Sequence, residues 1–339
     1  MKVLLLAGGD SSERTVSLES GKAVYEALAR LGHKVYAIDP SRGRSLLASD
    51  GAFIAIKPEA TGKQTAIQTS KSWSLSNALG SAGFTDIDVV FVALHGGSGE
   101  NGKIQCLLDL AGKKYTGSNM AASAIAMDKA VAKRLCASEG IATPDWALYR
   151  TRGRKVDDRL VDEICHRFEL PVIIKPNDGG STIGLSKVDD ESQVLPALTV
   201  AVKESSDVLV EKYIAGREIT AAILDGKPLP LVEIKPKNKL YDYEAKYTKG
   251  KSDYIVPAEI DTDVGESISR AAVTIYSGIG ASGLARVDFI LDAENGFYFL
   301  ELNTLPGMTE LSLAPMAASS IGISFDDLIK KLIDSAIHR

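Results

Sequence analysis

Residues 285–309 read ARVDFILDAENGFYFLELNTLPGMT, two runs alternating apolar and polar side chains around an Asn-Gly pair. Asn295-Gly296 predicts a two-residue type I′ turn, which sets Glu294 against Phe297 and Asp288 against Asn303. Residues two apart share a strand face, so Arg286, Asp288, Glu301 and Asn303 gather on one side. Val287, Phe289, Leu291, Tyr298, Leu300 and Leu302 fall on the other, which suits a core. Two carboxylates and an amide oxygen are hard donors of the kind Mg²⁺ accepts while keeping positions for water and phosphate. A solvated face with an incidental Arg–Asp pair would use the same residues. The Pro-Gly turn that follows in NTLPGMT tips the reading, because it frees backbone amides at a strand end for a ligand.

A second signal is IIKPNDGGSTIGLSKV, where Lys175 ends a buried strand before a loop holding Gly179, Gly180, Ser181, Thr182 and Gly184. Glycines let backbone amides approach phosphate oxygens, and a lysine adds a point charge. No GxxxxGK[ST] runs from strand to helix, so this is not a Walker A loop. GIGASG (278–283) matches GxGxxG, but it lies after a helix and before a strand, the reverse of a dinucleotide fingerprint. It reads as a helix stop and a turn. In ALHGGSGENG (93–102), His95 ends the strand VVFVAL, where open α/β sheets place ligands. Glu13 in DSSER precedes a helix, the ordinary position of a helix-dipole partner. Glu211 and Ile214 in VLVEKYIAGRE suit a purine edge or a domain hinge equally.

The chain has 339 residues, enough for two or three domains. Its formal charge of −5 argues against nucleic acid as a partner. Cys106, Cys136 and Cys165 are widely spaced with no CxxC pair, as in reduced cytoplasmic proteins. No run is long enough for a membrane span and MKVLLLAGGD is too short for a signal peptide. Short buried strands KVLLLA, KVYAID and IDVVFVAL predict a parallel sheet in a first α/β unit over 1–118, with a helix from about Ser17 to Leu31. Residues 41–85 read as loop and edge strand. A second unit over 119–210 has helices from Asp128 to about Gly140 and from Asp157 to Phe168. A third, 211–339, has strands EITAAIL and PLPLVEIKP, a helix from Asp263 to Tyr276, and a last helix capped by Ser324 and Asp327 whose apolar stripe is packing.

Together, GGDSSERTVSLESG, HGGSGENG, YTGSNMAASAIAMDK, KPNDGGSTIG and FYFLELNTLPGMTELSLAPMAA resemble the D-alanine–D-alanine ligases of the ATP-grasp superfamily over nearly the whole chain. That resemblance implies an ATP-grasp fold of three α/β domains, the first with a parallel sheet, and ATP gripped between the other two. It implies that Lys129, Lys175 and Lys246 contact phosphates, that Gly180 and Thr182 belong to a loop closing over them, that Glu211 and Ile214 meet adenine, and that Glu218 meets the ribose. Asp288, Glu301 and Asn303 would hold two Mg²⁺ or Mn²⁺ ions. Glu13 would take the ammonium of a first D-alanine beside His95, in a hydrogen-bonded set with Ser181 and Tyr247. Ser312 and Leu313 would receive the second D-alanine, and Arg286 with the Gly307 amide would hold the oxyanion. The implied product is D-alanyl-D-alanine for the cell wall, made through an acyl phosphate by a cytoplasmic homodimer. Relatives that accept D-lactate or D-serine second are the alternative. GENG stands where the family commonly has GEDG, and Leu240 where it often has an aromatic.

Overall fold

The computed structural model describes residues 1–54, 86–151, 156–236 and 252–339. Lys246, Tyr247 and the rest of LYDYEAKY lie outside the described residues, as does most of 41–85.

The first sheet has the order β3-β2-β1-β4, with β1 Lys2–Leu6, β2 Lys34–Asp39, β3 Arg44–Ser45 and β4 Val89–Val92. β1 runs parallel to both β2 and β4, as the short apolar runs predict; only the edge strand β3 is antiparallel. Val3, Leu5, Val89 and Phe91 are buried against Val24, Ala27 and Leu28 of helix α1, Arg14–Arg30. The second sheet, β5-β8-β6-β7, is antiparallel and comprises β5 Trp146–Arg150, β6 Val172–Pro176, β7 Ser186–Val188 and β8 Asp207–Lys212. The third, also antiparallel, contains β9 Arg217–Leu224, β10 Lys227–Pro228, β11 Val232–Pro236, β12 Ser252–Ile255, β13 Leu284–Leu291 and β14 Phe297–Asn303.

Helices Gly97–Glu100 (α2) and Lys103–Leu110 (α3) follow β4. Met120–Met127 (α4) and Lys129–Ser138 (α5) precede the second sheet in the chain but share a core with the third. Asp128 caps α5 by accepting from the Val131 amide at 3.0 Å. Asp158–Arg167 (α6) and Val194–Glu204 (α7) cover the second sheet, and Thr262–Ile279 (α8) covers the third. Gly280 ends α8 at φ +76°, the left-handed stop expected of GIGASG. Leu313–Ser319 (α9) and Phe325–His338 (α10) fill the space between the first and third sheets. Ser324 Oγ accepts from the Asp327 amide, so the predicted cap forms. Leu328, Ile329, Leu332 and Ile333 of α10 are buried, each worth about 1.5–3 kcal/mol. No helix among the described residues is long and apolar enough to cross a membrane.

The β13–β14 hairpin departs from the predicted register. Leu291 pairs with Phe297, so Asp292 to Gly296 form a five-residue loop, not a two-residue turn. Asp292 Oδ1 accepts from the Glu294 amide at 2.9 Å and the Gly296 amide at 2.7 Å, an Asx turn that outcompetes the tighter Asn-Gly connection. A β-bulge then shifts the pairing, so Asp288 faces Glu301 and Arg286 faces Asn303. The expected core positions change with it. Phe297 and Phe299, not Tyr298 and Leu300, pack with Phe289, while Leu300 and Glu301 both line the cleft between the second and third sheets.

Candidate active site

Two cavities meet at Glu301. One lies between the second and third sheets and is lined by Lys129, Lys175, Gly179, Gly180, Thr182, Glu211, Ile214, Glu218, Ile290, Leu300 and Glu301. The other lies between the first and third sheets and is lined by Glu13, His95, Glu100, Ser181, Arg286, Glu301, Asn303, Gly307, Ser312 and Leu313. The predicted residues within the described chain therefore gather in one place, except Asp288, which sits just behind this wall. A more capacious groove, about 690 Å³ along α8, holds none of them.

In the first cavity Lys175 Nζ meets Glu211 Oε1 at 2.5 Å, and Lys133 Nζ meets Glu211 Oε2 at 2.9 Å. Lys133 also donates to the Phe299 carbonyl at 3.3 Å, tying this cluster to the bulged strand. Burial works against ionisation of Glu211, yet the two ammonium groups outweigh it and hold the carboxyl down at about 2. Burial also pushes Lys133 below its ordinary range, opposed by Glu211. Lys129 Nζ donates to the Gly179 carbonyl at 2.5 Å and lies 3.3 Å from Glu301. Asn177 accepts from the Ala130 amide and donates to Asp128, each at 2.9 Å, and so locks the start of α5 to the end of β6. Sequence reasoning missed Lys133. Its signal was an i, i+4 relation to Lys129, which puts both lysines on one face of the helix.

Asp288 and Glu301 are register partners, and Asn303 lies 3.1 Å from Asp288. Asp288 also accepts from Thr220 Oγ1 at 2.6 Å and from both Nε and a terminal nitrogen of Arg286 at 2.9 Å. Among the described residues no group of three His, Cys, Asp or Glu could hold a metal. The set here is instead two carboxylates and an amide oxygen on one ribbon, a donor chemistry that fits Mg²⁺ or Mn²⁺ sharing its shell with phosphate.

In the second cavity Glu13 occupies the N-cap position of α1 but makes no capping bond; its Oε1 accepts from Ser181 Oγ. Ser181 and Thr182 adopt φ of +49° and +63°, a conformation that costs non-glycine residues energy and needs surrounding contacts to persist. A Cβ on Gly96 or Gly180 would stand 2.5 or 2.4 Å from Glu13 Oε2, so the carboxylate lies in a slot between two glycines. Glu100 accepts from the Gly96 amide at 2.7 Å and the Leu305 amide at 3.2 Å. Burial, together with the charge of Glu13, pushes its carboxyl up to about 8. His95 Nδ1 lies 2.8 Å from the Leu305 carbonyl and Nε2 2.9 Å from Ser20 Oγ. Its two nitrogens are thus engaged within the protein while the residue lines the same cavity as Glu13. Ser20, buried on α1, was also missed; Glu13, Ser17 and Ser20 form a polar i, i+4, i+7 stripe that marked it. Ser312 Oγ accepts from the Thr309 amide at 3.1 Å and does not cap α9, and the amide end of α9 opens on the cavity.

Family models described as the D-ala D-ala ligase N-terminus and C-terminus match residues 2–118 and 135–334. A D-alanine–D-alanine ligase of Syntrophotalea carbinolica is 41% identical over 338 residues, covering 100% of this chain and 97% of its own. One from Gloeobacter violaceus is 40% identical, covering 99% and 100%. Among solved structures, the Bacillus anthracis D-alanine–D-alanine ligase complexed with ATP superposes with TM-score 0.78 at 29% identity, covering 100% of this chain and 98% of that one. The VanG D-Ala:D-Ser ligase of Enterococcus faecalis gives 0.76 at 29% identity, with 99% of each chain covered.

Proposed function

The chain belongs to the D-alanine–D-alanine ligase family, and on that premise we propose how its two cavities divide the ATP-dependent joining of two D-alanines into the cell-wall dipeptide. The nucleotide occupies the cleft between the antiparallel sheets, with adenine beside Glu211 and Ile214 and the ribose near Glu218. Lys129, Lys175 and Lys246 neutralise phosphates, under a loop containing Gly180 and Thr182. Asp288, Glu301 and Asn303 would hold two Mg²⁺ or Mn²⁺ ions. Bound there, such ions would offset charge on the terminal phosphates.

A carboxylate resists attack by an amine, so the first D-alanine is activated as an acyl phosphate. Glu13 holds that alanine's ammonium, kept in place by Ser181 and, by family resemblance, Tyr247. Ser312 and the Leu313 amide receive the carboxylate of the second alanine. Its amine attacks the acyl carbon, and Arg286 with the Gly307 amide hold the oxyanion, a kind of donor worth about 3 kcal/mol. The observation that carries this reading is that Glu301 lines both cavities, so phosphate and carboxylate meet at one wall. The free thiols of Cys106, Cys136 and Cys165 support a cytoplasmic setting, and family resemblance supports a homodimer through the first domain.

The test is ADP release and product mass with ATP and D-alanine alone, then with D-alanine plus D-serine or D-lactate. One D-alanyl-D-alanine per ADP is expected. ADP without dipeptide, or a mixed product in preference to it, would overturn the assignment.

A further inference from the structure

Resting on the ligase reading above, we propose that Ser20, His95 and Glu100 brace the Leu305–Met308 turn from the first domain, with Ser20 a positioning residue for the amine-attack step.

A ring of hydrogen bonds closes through the turn, from Leu305 to His95 to Ser20 to Met308. The Leu305 carbonyl can only accept, so His95 Nδ1, 2.8 Å away, carries the ring proton. Burial lowers the affinity of His95 for a second proton, so Nε2 is an acceptor. Ser20 Oγ, 2.9 Å from Nε2, must then be the donor, which leaves its lone pairs for the Met308 amide at 3.1 Å. The Leu305 amide is fixed separately by Glu100. Of the turn's amides, those of Leu305 and Met308 are tied to the first domain, and Pro306 has none. The Gly307 amide, between them, has no acceptor among the described residues, and Gly307 lines the substrate cavity. The brace thus aims one amide by holding its neighbours. Ser20 is completely buried and touches neither cavity, so it acts only through the turn.

Two chemical steps separate this role from general support. In the first, the terminal phosphoryl group moves from ATP to a carboxylate oxygen, giving ADP and D-alanyl phosphate. In the second, the amine nitrogen bonds to the acyl carbon, the carbon–oxygen bond to phosphate breaks, and inorganic phosphate leaves carrying the proton the amine gives up. Only the second builds an oxyanion at Gly307. Misplacing one such donor costs on the order of 100-fold in rate.

The experiment is single-turnover quench of Ser20→Ala with ATP and D-alanine, reading ADP and dipeptide separately. ADP should form at close to the wild-type rate while dipeptide forms about 100-fold more slowly. The stranded acyl phosphate then reacts with water to D-alanine and phosphate, so ADP exceeds dipeptide. Ser17→Ala is the matched control, since that buried hydroxyl bonds Gly8 and Ala93 and not the turn; it should stay coupled at one dipeptide per ADP. A coupled Ser20→Ala beside a coupled wild type overturns the brace alone, as does equal uncoupling in Ser17→Ala. A wild-type chain that releases ADP without dipeptide overturns the ligase reading and this inference with it.

Discussion

Two buried carboxylates in neighbouring cavities are driven in opposite directions. Glu211, between the antiparallel sheets, is held down at about 2, whereas Glu100, in the cavity between the first and third sheets, is pushed up to about 8. Burial resists the charge of both. The difference lies in the neighbours: Lys133 and Lys175 flank Glu211, while Glu100 faces the like charge of Glu13 and is relieved only in part, by two backbone amides and the charge of Arg286. Burial therefore does not decide ionisation; the charges buried alongside do. The cleft between the antiparallel sheets carries an excess of positive charge, which suits the phosphate proposed for it. The cavity between the first and third sheets is rich in carboxylates, which suits the ammonium proposed for it.

The largest effect should come from breaking the balance around Glu211. Lys133→Met keeps the volume but leaves the carboxylate with Lys175 alone, and loss of one partner from a buried pair costs about 3–5 kcal/mol. Denaturant unfolding should show that loss. ATP affinity should fall as well, because Lys175 becomes the sole counter-ion of Glu211 and is held back from phosphate. Adding Glu211→Gln removes the stranded charge and should restore much of the stability. A loss below about 1 kcal/mol would mean that Lys175 alone balances the site.

Next comes the opposite carboxylate. The folded pKa of Glu100 lies above its ordinary value, so its contribution to stability is complete below pH 4.5 and is lost as pH rises toward 8. Glu211 is the reverse: its contribution is present above 4.5 and is lost as pH falls toward 2. Glu100→Gln should therefore flatten the decline in stability between pH 5 and 8, a slope of at most about 1.4 kcal/mol per pH unit. Any cost from facing an amide with the Gln nitrogen is independent of pH and shifts the curve without tilting it. A variant whose slope matches wild type would show that Glu100 is ionised throughout, and the contrast with Glu211 would vanish.

The same contrast explains what could be read from the sequence. The polar face was legible because residues two apart on a regular strand share a side, and neither Arg286–Asp288 nor Glu301–Asn303 spans the bulge. The register itself was not, because Asp292 organises a five-residue loop that the Asn-Gly pair alone does not reveal. A bulge is equally silent in sequence, and it exchanged Leu300 for Phe299 in the core. Glycines in HGGSGENG and KPNDGGSTIG marked ligand loops, but Gly96 and Gly180 make room for Glu13 rather than for phosphate alone. Lys133 and Ser20 escaped because each acts on another protein group, and such partners come from distant parts of the chain. Glu211 lies 78 positions beyond Lys133 and Met308 lies 288 beyond Ser20.

The smallest expected effect bears on the loop that the two regions share. Gly180 lines the cavity between the antiparallel sheets, yet its missing Cβ would point at Glu13 Oε2, 2.4 Å away. Its φ is not in the left-handed region, so alanine adds no backbone strain and acts by contact alone. Glu13 ends in a movable carboxylate that can shift aside, which takes it off the ammonium it is assigned. Gly180→Ala should raise KM for the first D-alanine about tenfold, roughly 1.4 kcal/mol, with ATP affinity little changed. Gly179→Ala, whose nearest neighbour would be Pro176 Cβ at 3.3 Å, is the control on the same loop. If Gly180→Ala instead weakens ATP and spares D-alanine, the loop answers to phosphate, and the carboxylate slot around Glu13 is a by-product of how it folds.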